Sequence, residues 1–152
     1  MTKPKETQTL TTYLVVNDGK KALDFYKDAF GAEELYRNEL PDGKIMHSQF
    51  MIGNSMIMLS DEFPNHGCLA KSPASLKGTT SMININVDQI DEAFEKAKKA
   101  GAKVVMPLDD MFWGDRYGQL EDPFGHVWSL SKKIKEMTYD EINAAAEACF
   151  KS

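Results

Sequence analysis

Apolar residues change their spacing along the chain in a fixed order. Tyr13-Leu14-Val15-Val16 is a short β-prone run, and Asn17-Asp18-Gly19 supplies turn and N-cap chemistry after it. Ala22, Leu23, Phe25, Tyr26, Ala29 and Phe30 then recur at helical spacing, and Gly31 sits where a C-terminal cap belongs. Strand-like EELYRNE, KIMHSQFMI and SMIMLS follow, divided by Pro41-Asp42-Gly43 and Gly53-Asn54. The order then returns. SMININV reads as a strand, Asp88 opens a helix with Ala93, Phe94, Ala97 and Ala100 on one face, and Gly101 is placed to end it. KVVMP, YGQLED and HVWSLS complete the second set, with Gly114-Asp115 and Asp122-Pro123-Phe124-Gly125 as its turns.

Two strand-helix-strand-strand-strand units, offset by about 70 residues, account for this pattern. The spacing predicts a single α+β domain, with module one at about 9–61 and module two at about 79–133. Between them, about 62–78, Pro64, Gly67, Pro73 and Gly78 predict an irregular linker that doubles as a lid or interface loop. The capping box Thr138-Tyr139-Asp140-Glu141 predicts a C-terminal helix over about 138–150.

Composition narrows the classes. With 42% hydrophobic and 27% charged residues the chain can bury a core and is not disordered. The net charge of −5 is spread out, with no basic stripe, which excludes a nucleic-acid backbone as the main partner. Cys68 and Cys149 are far apart and lack CxxC spacing, so neither a disulfide framework nor a structural zinc site is expected. The polar start MTKPKETQTLTT is no signal peptide, and no apolar run approaches the roughly 20 residues of a membrane span. A reduced, cytoplasmic protein is the expectation.

Four segments together carry a family likeness: YLVVNDGKKALDFYKDAFGAEE, HSQFMIGNSMIMLSDE, VDQIDEAFEKAKKAGAKVVMP and FWGDRYGQLEDPFGHVWSLS. They resemble the vicinal oxygen chelate superfamily of glyoxalases, bleomycin-resistance proteins and dioxygenases, and within it the PhnB-like, glyoxalase-like branch. The likeness spans roughly residues 9 to 133. It implies two tandem βαβββ modules forming a curved mixed sheet around a cavity, with the C-terminal helix added. In the metalloenzymes of the superfamily, four inward His, Gln or Glu side chains from the first and last strands of each module hold a divalent ion. That ion polarises a substrate with two neighbouring oxygens.

By strand register, those ligand positions fall here on Thr11, Met58, Met82 and Ser129. The neighbours Leu10, Thr12, Ile57, Leu59, Ser81, Ile83, Trp128 and Leu130 add no usual ligand. Divalent transition metals need converging imidazole, carboxylate or thiolate donors, which a Thr, two Met and a Ser do not supply. His47, His66 and His126 are scattered, without i, i+4 spacing. No cofactor is therefore expected, a divalent metal being the alternative.

Alternation assigns the remaining side chains. Ile83, Ile85 and Val87 form a helix-packed face, which turns Met82, Asn84 and Asn86 toward the cavity. Met56, Met58 and Ser60, and likewise His47, Gln49 and Met51, turn the same way. Nine methionines either make an adaptable pocket or fill space. His47 is either an acid–base group, imidazole being the side chain that titrates near neutrality, or a structural histidine. Trp113 and Arg116 either hold a flat anionic ligand by stacking and a guanidinium fork, or serve structure. In the latter case Arg116 pairs with Asp115, Glu121 or Asp122 and Trp113 covers an apolar seam. Phe112 and Gln119 complete the candidate set, while Trp128, in phase with Leu130, reads as core.

The reading that follows is a metal-independent small-molecule-binding protein of the glyoxalase/bleomycin-resistance type. Pairing into a homodimer is what the bleomycin-resistance branch implies, since it builds its pockets between subunits. The alternatives are a metal-dependent lyase, isomerase or dioxygenase with non-standard ligands, and a structural module whose C-terminal helix docks elsewhere. Whether a reaction is catalysed is left open by these residues.

Overall fold

The structure is a computed structural model that describes residues 8–151. Residues 1–7, which hold most of the polar N-terminal stretch read above as no signal peptide, and residue 152 lie outside the described residues. Module one runs β1 (Thr12–Val16), α1 (Gly19–Phe30), β2 (Glu33–Glu39), β3 (Ile45–Ile52) and β4 (Ser55–Asp61). A 3₁₀ turn (Pro64–His66) and the short α2 (Pro73–Leu76) interrupt the linker. Module two repeats the order with β5 (Met82–Asn86), α3 (Ile90–Ala100), β6 (Lys103–Asp110), β7 (Asp115–Glu121) and β8 (Val127–Lys133). Then comes α4 (Tyr139–Phe150).

Each module makes its own four-stranded mixed sheet, ordered β1-β4-β3-β2 and β5-β8-β7-β6. The outer pairs β1–β4 and β5–β8 are parallel and the rest antiparallel hairpins. The α+β class and the two-module layout are as the sequence predicts, with the sheet divided into two.

Local chemistry explains the helix ends. Asp18 accepts from the Lys21 amide at the start of α1, and Gly31 closes it in the left-handed region at φ 67°. The capping box of α4 is formed, with Thr138 and Glu141 each bonding the other's backbone. Asp88 is a correction. The α3 N-cap is Gln89, without a side-chain cap bond, and Asp88 instead offers its carbonyl to Lys132 Nζ at 2.5 Å. Asp91 and Glu92 in the first turn supply the negative charge that the helix N-terminus favours.

The core lies between the helices and one face of each sheet. Helices α1 and α3 pack on one another, and Tyr26, Phe30, Phe50, Phe124 and Trp128 interlock around them. Trp128 is fully buried, with its ring 4.7 Å from Phe30 and 5.3 Å from Tyr26. Its indole and the Tyr26 hydroxyl both donate to the buried Asp122 carboxylate, at 2.9 and 2.6 Å. The turn that carries Asp122 therefore joins module one to module two. The linker docks on the same turn: a Cβ at Gly125 would stand 2.7 Å from Pro73. Glu62 holds α2 in place, accepting from the Ser72 amide at 2.5 Å and from Ser75 Oγ at 2.9 Å.

A second buried carboxylate fixes module one. Asp61 accepts from the amides of Gly19 at 2.9 Å and Ile45 at 2.7 Å. A Cβ at Gly19 would meet Asp61 Oδ2 at 2.7 Å and Ile45 Cβ at 2.8 Å. Gly19→Ala is expected to cost about 2 kcal/mol of stability by overpacking. Urea unfolding checks this, and an unchanged midpoint would mean the helix start can shift aside freely.

Candidate functional site

The sheet faces turned away from the helices are the candidate site. On the first sheet, Leu14, Val16, Ile57, Leu59, Phe50 and Ile52 join the core. The pleat therefore sends Tyr13, Met58, His47, Gln49 and Met51 to the opposite face. Tyr13, Met58, Gln49 and Tyr36 lie side by side across the four strands. His47 sits one step along, with ring centroids 5.7 Å from Tyr13 and 6.2 Å from Tyr36. Its Nδ1 is 3.1 Å from the Tyr13 hydroxyl and its Nε2 is 3.4 Å from Gln49 Nε2. In the tautomer protonated on Nδ1, Gln49 donates to Nε2 and the ring N–H faces the Tyr13 oxygen; in the other tautomer the Tyr13 hydroxyl donates to Nδ1.

On the second sheet the matching row is Asn84, Ser129, Gln119 and Met106. Ser129 Oγ donates to Asn84 Oδ1 at 2.8 Å, and Asn84 Nδ2 donates to Ser131 Oγ at 2.9 Å. Ser131 Oγ in turn donates to Asn86 Oδ1 at 2.9 Å. Gln119 Nε2 donates to the Tyr117 hydroxyl at 3.0 Å, which donates to Met82 Sδ at 3.7 Å. Tyr13, Tyr36 and Met82 remain 48%, 50% and 47% exposed, so both faces are open in a single chain.

The turn at 111–114 supplies an aromatic flank. Trp113 stands edge-on to Tyr117 at 5.4 Å and donates to Asp115 Oδ2 at 3.1 Å. Phe112 packs on Trp113 at 5.0 Å and reaches Phe150 of α4 at 6.4 Å. Arg116 goes elsewhere. It alternates with Tyr117 and so projects to the helix side, where it pairs with Asp91 at 2.7 Å and Asp110 at 3.1 Å. None of the three acids suggested by sequence proximity is its partner. Hydrogen bonds from Arg116 hold the Asp91 carboxyl below its ordinary 3.8. A depressed acid stabilises the folded state above its ordinary value and loses that contribution as pH falls through the lowered one. Arg116→Gln is therefore expected to return the Asp91 titration, followed by carboxyl NMR, toward 3.8; an unmoved midpoint would place the cause elsewhere.

His47, Gln49, Met58, Met82, Asn84 and Gln119 are thus placed on the two open faces, Phe112 and Trp113 flank the second, and Arg116 is separate. Tyr13, Tyr36, Tyr117 and Ser131 were not singled out from the sequence. The signal was present for Tyr13 and Ser131, which alternate with the core residues Leu14 and Leu130. Tyr36 was hidden by the irregular register between Glu34 and Tyr36.

The arrangement has known counterparts. A family model described as the Glyoxalase/Bleomycin resistance protein/Dioxygenase superfamily matches residues 8–130. The chain belongs to this superfamily. It is 46% identical over 137 residues to an uncharacterized protein of Mycobacterium bovis, covering 90% of each chain. It is similar in structure to TioX from Micromonospora sp. ML1, with TM-score 0.67 and 26% identity over 84% of this chain and 99% of that one. In fold it also resembles the fosfomycin resistance protein FosX of Listeria monocytogenes, a structure complexed with Mn(II) and sulfate. There the TM-score is 0.62 and the identity 20%, over 93% of this chain and 98% of that one.

Members of the glyoxalase superfamily that use a metal set the test for these residues. Met58 faces Tyr13 across β1–β4, and Ser129 faces Asn84 across β5–β8. Thr11 and Met82 stand one pleat further along. None of these side chains offers an imidazole, carboxylate or thiolate. Among the described residues no group of three or more His, Cys, Asp or Glu is placed to hold a metal ion. His126 is engaged with the Val15 carbonyl at 3.0 Å, and His66 lies on the exposed linker. This donor set does not fit a divalent metal.

Proposed function

We propose that this member of the superfamily binds a small organic molecule without a metal, using its two open sheet faces as the walls of a cavity. One observation carries the reading: the exposed sheet faces present Tyr, Met, His and amide side chains in ordered rows, with Trp113 on the adjoining turn. Exposed strand faces with no role are simply polar instead. Aromatic and Met surface with a few convergent polar groups is the usual lining of a ligand site.

A homodimer completes it. Among the described residues, strands β1, β2, β5 and β6 each pair on one side only, which leaves sheet edges beside the two open faces. Free edges invite pairing with another chain. A second copy would cover both the edges and the faces, so that each cavity is walled by both chains. The same reading places the protein in the cytoplasm, in keeping with its two widely separated cysteines.

The test is a thermal-shift screen with aromatic and amphipathic compounds, neutral and charged. Stabilisation by a subset of them is expected, and silence across a broad library overturns the reading. Elemental analysis of protein purified without a metal-affinity tag checks the second half of the claim. Trace metal is expected; near-stoichiometric nickel, zinc, iron or manganese would establish the metal-dependent alternative.

A further inference from the structure

The composition of the two open faces restricts the ligand, given the small-molecule reading above. The middle rows are Tyr13, Met58, Gln49 and Tyr36 on one sheet, and Asn84, Ser129, Gln119 and Met106 on the other. They carry no Lys, Arg, Asp or Glu, in a chain of which 27% is charged. Charged groups stand at the rims. Glu33 is across from Met51, Lys103 and Glu121 end one side of the second sheet, and the Asp115–Lys133 pair ends the other. Asp109 lies on the outer strand β6, and Lys71 lies on the linker, where its charge acts on Glu62.

From this placement we infer that the site takes an uncharged, flat ligand bearing a hydrogen-bond acceptor, and that the Tyr13 hydroxyl is the donor to it. A charged ligand would leave water for a surface with no counter-charge at its centre, which is costly. The rings of Tyr13, Tyr36, Tyr117 and Trp113 offer surfaces for stacking, and the Met58 and Met82 thioethers adapt to a rigid outline. On the second sheet the Asn84, Ser129, Ser131 and Asn86 groups largely bond one another, so they ask little of the ligand.

Tyr13 differs from these groups. In the Nδ1-protonated tautomer of His47 the ring donates to its oxygen, which leaves the phenolic proton available for an acceptor on the ligand. Gln49, whose amide Nε2 lies 3.4 Å from His47 Nε2, favours that tautomer by donating to the ring and so acts as a positioning residue.

The probes are coumarin (uncharged, with a carbonyl acceptor), naphthalene (similar shape, no acceptor) and coumarin-3-carboxylate (an anion). Dissociation constants are measured for the full chain and for Tyr13→Phe, a change at a half-exposed position that keeps the ring. Coumarin is expected to bind tightest, with the carboxylate at least about tenfold weaker. Tyr13→Phe is expected to weaken coumarin about fivefold and to leave naphthalene within about twofold. Equal effects on coumarin and naphthalene, or no effect on either, overturn Tyr13 as the donor. A carboxylate that binds as tightly as coumarin overturns the uncharged class, as do charged screening hits with both neutral probes silent. Either result leaves the small-molecule reading standing. Silence from every compound, these three included, overturns both.

Discussion

Asp122→Ala is expected to lower the unfolding free energy by about 3–5 kcal/mol, the largest loss from any single side chain outside the aromatic core. The carboxylate is 4% exposed. It accepts from Tyr26 Oη at 2.6 Å, Trp128 Nε1 at 2.9 Å, and the amides of Phe124 at 2.9 Å and His126 at 3.0 Å. Truncation leaves the Tyr26 hydroxyl and the Trp128 indole as buried donors without an acceptor, each costing about 1–3 kcal/mol. Burial, and then the charge and hydrogen bond of Asp122, push the Tyr26 phenol well above its ordinary 10.0, so it remains a donor through the neutral range. Tyr26→Phe removes a donor rather than an acceptor, leaves the carboxylate its other three, and is expected to cost only about 1 kcal/mol. Urea denaturation of both variants is the check. A loss below about 1 kcal/mol for Asp122→Ala would show that water replaces the carboxylate and that the two modules do not depend on this junction.

Met58→Arg is expected to do the reverse, leaving stability nearly intact while weakening binding of an uncharged probe by about a hundredfold. Met58 lies between Tyr13 and Gln49 in the middle row of the first open face and is only half-buried, so a long side chain can reach solvent. The guanidinium brings a charge and a hydration shell to the centre of the proposed cavity wall. Isothermal titration with a hit from the neutral half of the screen reads the affinity, and thermal unfolding reads the fold. Undiminished binding would move the site off this face.

Much of the molecule was legible in the chain because it depends on neighbours in sequence. Gly31 and Gly101 follow their helices, and both have positive φ, 67° and 123°. The Thr138–Glu141 box closes because its members are three residues apart. Period-two alternation sent Trp128 and Leu130 inward and Met82, Asn84 and His47 outward, since the pleat has no other way to turn.

What was missed needed contacts between distant segments. Asp115 and Glu121 are near Arg116 in sequence, but an odd spacing along a strand puts them on the other face. Asp122 is held inside by Tyr26 and Trp128, and the partners of Arg116 come from α3 and the end of β6. For His47 the sequence offered no orienting partner. Tyr13 is 34 residues away and is brought alongside by the β1–β4–β3 register.

The same division holds for FWGDRYGQLEDPFGHVW. By itself the sequence determined two βαβββ modules, the Asp18 cap of α1, the glycine ends of α1 and α3, and which side of each strand faces the core, because these follow from periodicity and turn chemistry acting over a few residues. The tertiary structure alone decided that Asp122 in this stretch locks the modules together, that Arg116 is engaged with Asp91 and Asp110, and that Tyr117 and Gln119 join Asn84 on an open face. Those outcomes depend on which distant strands lie in register and how the helices pack between the two sheets.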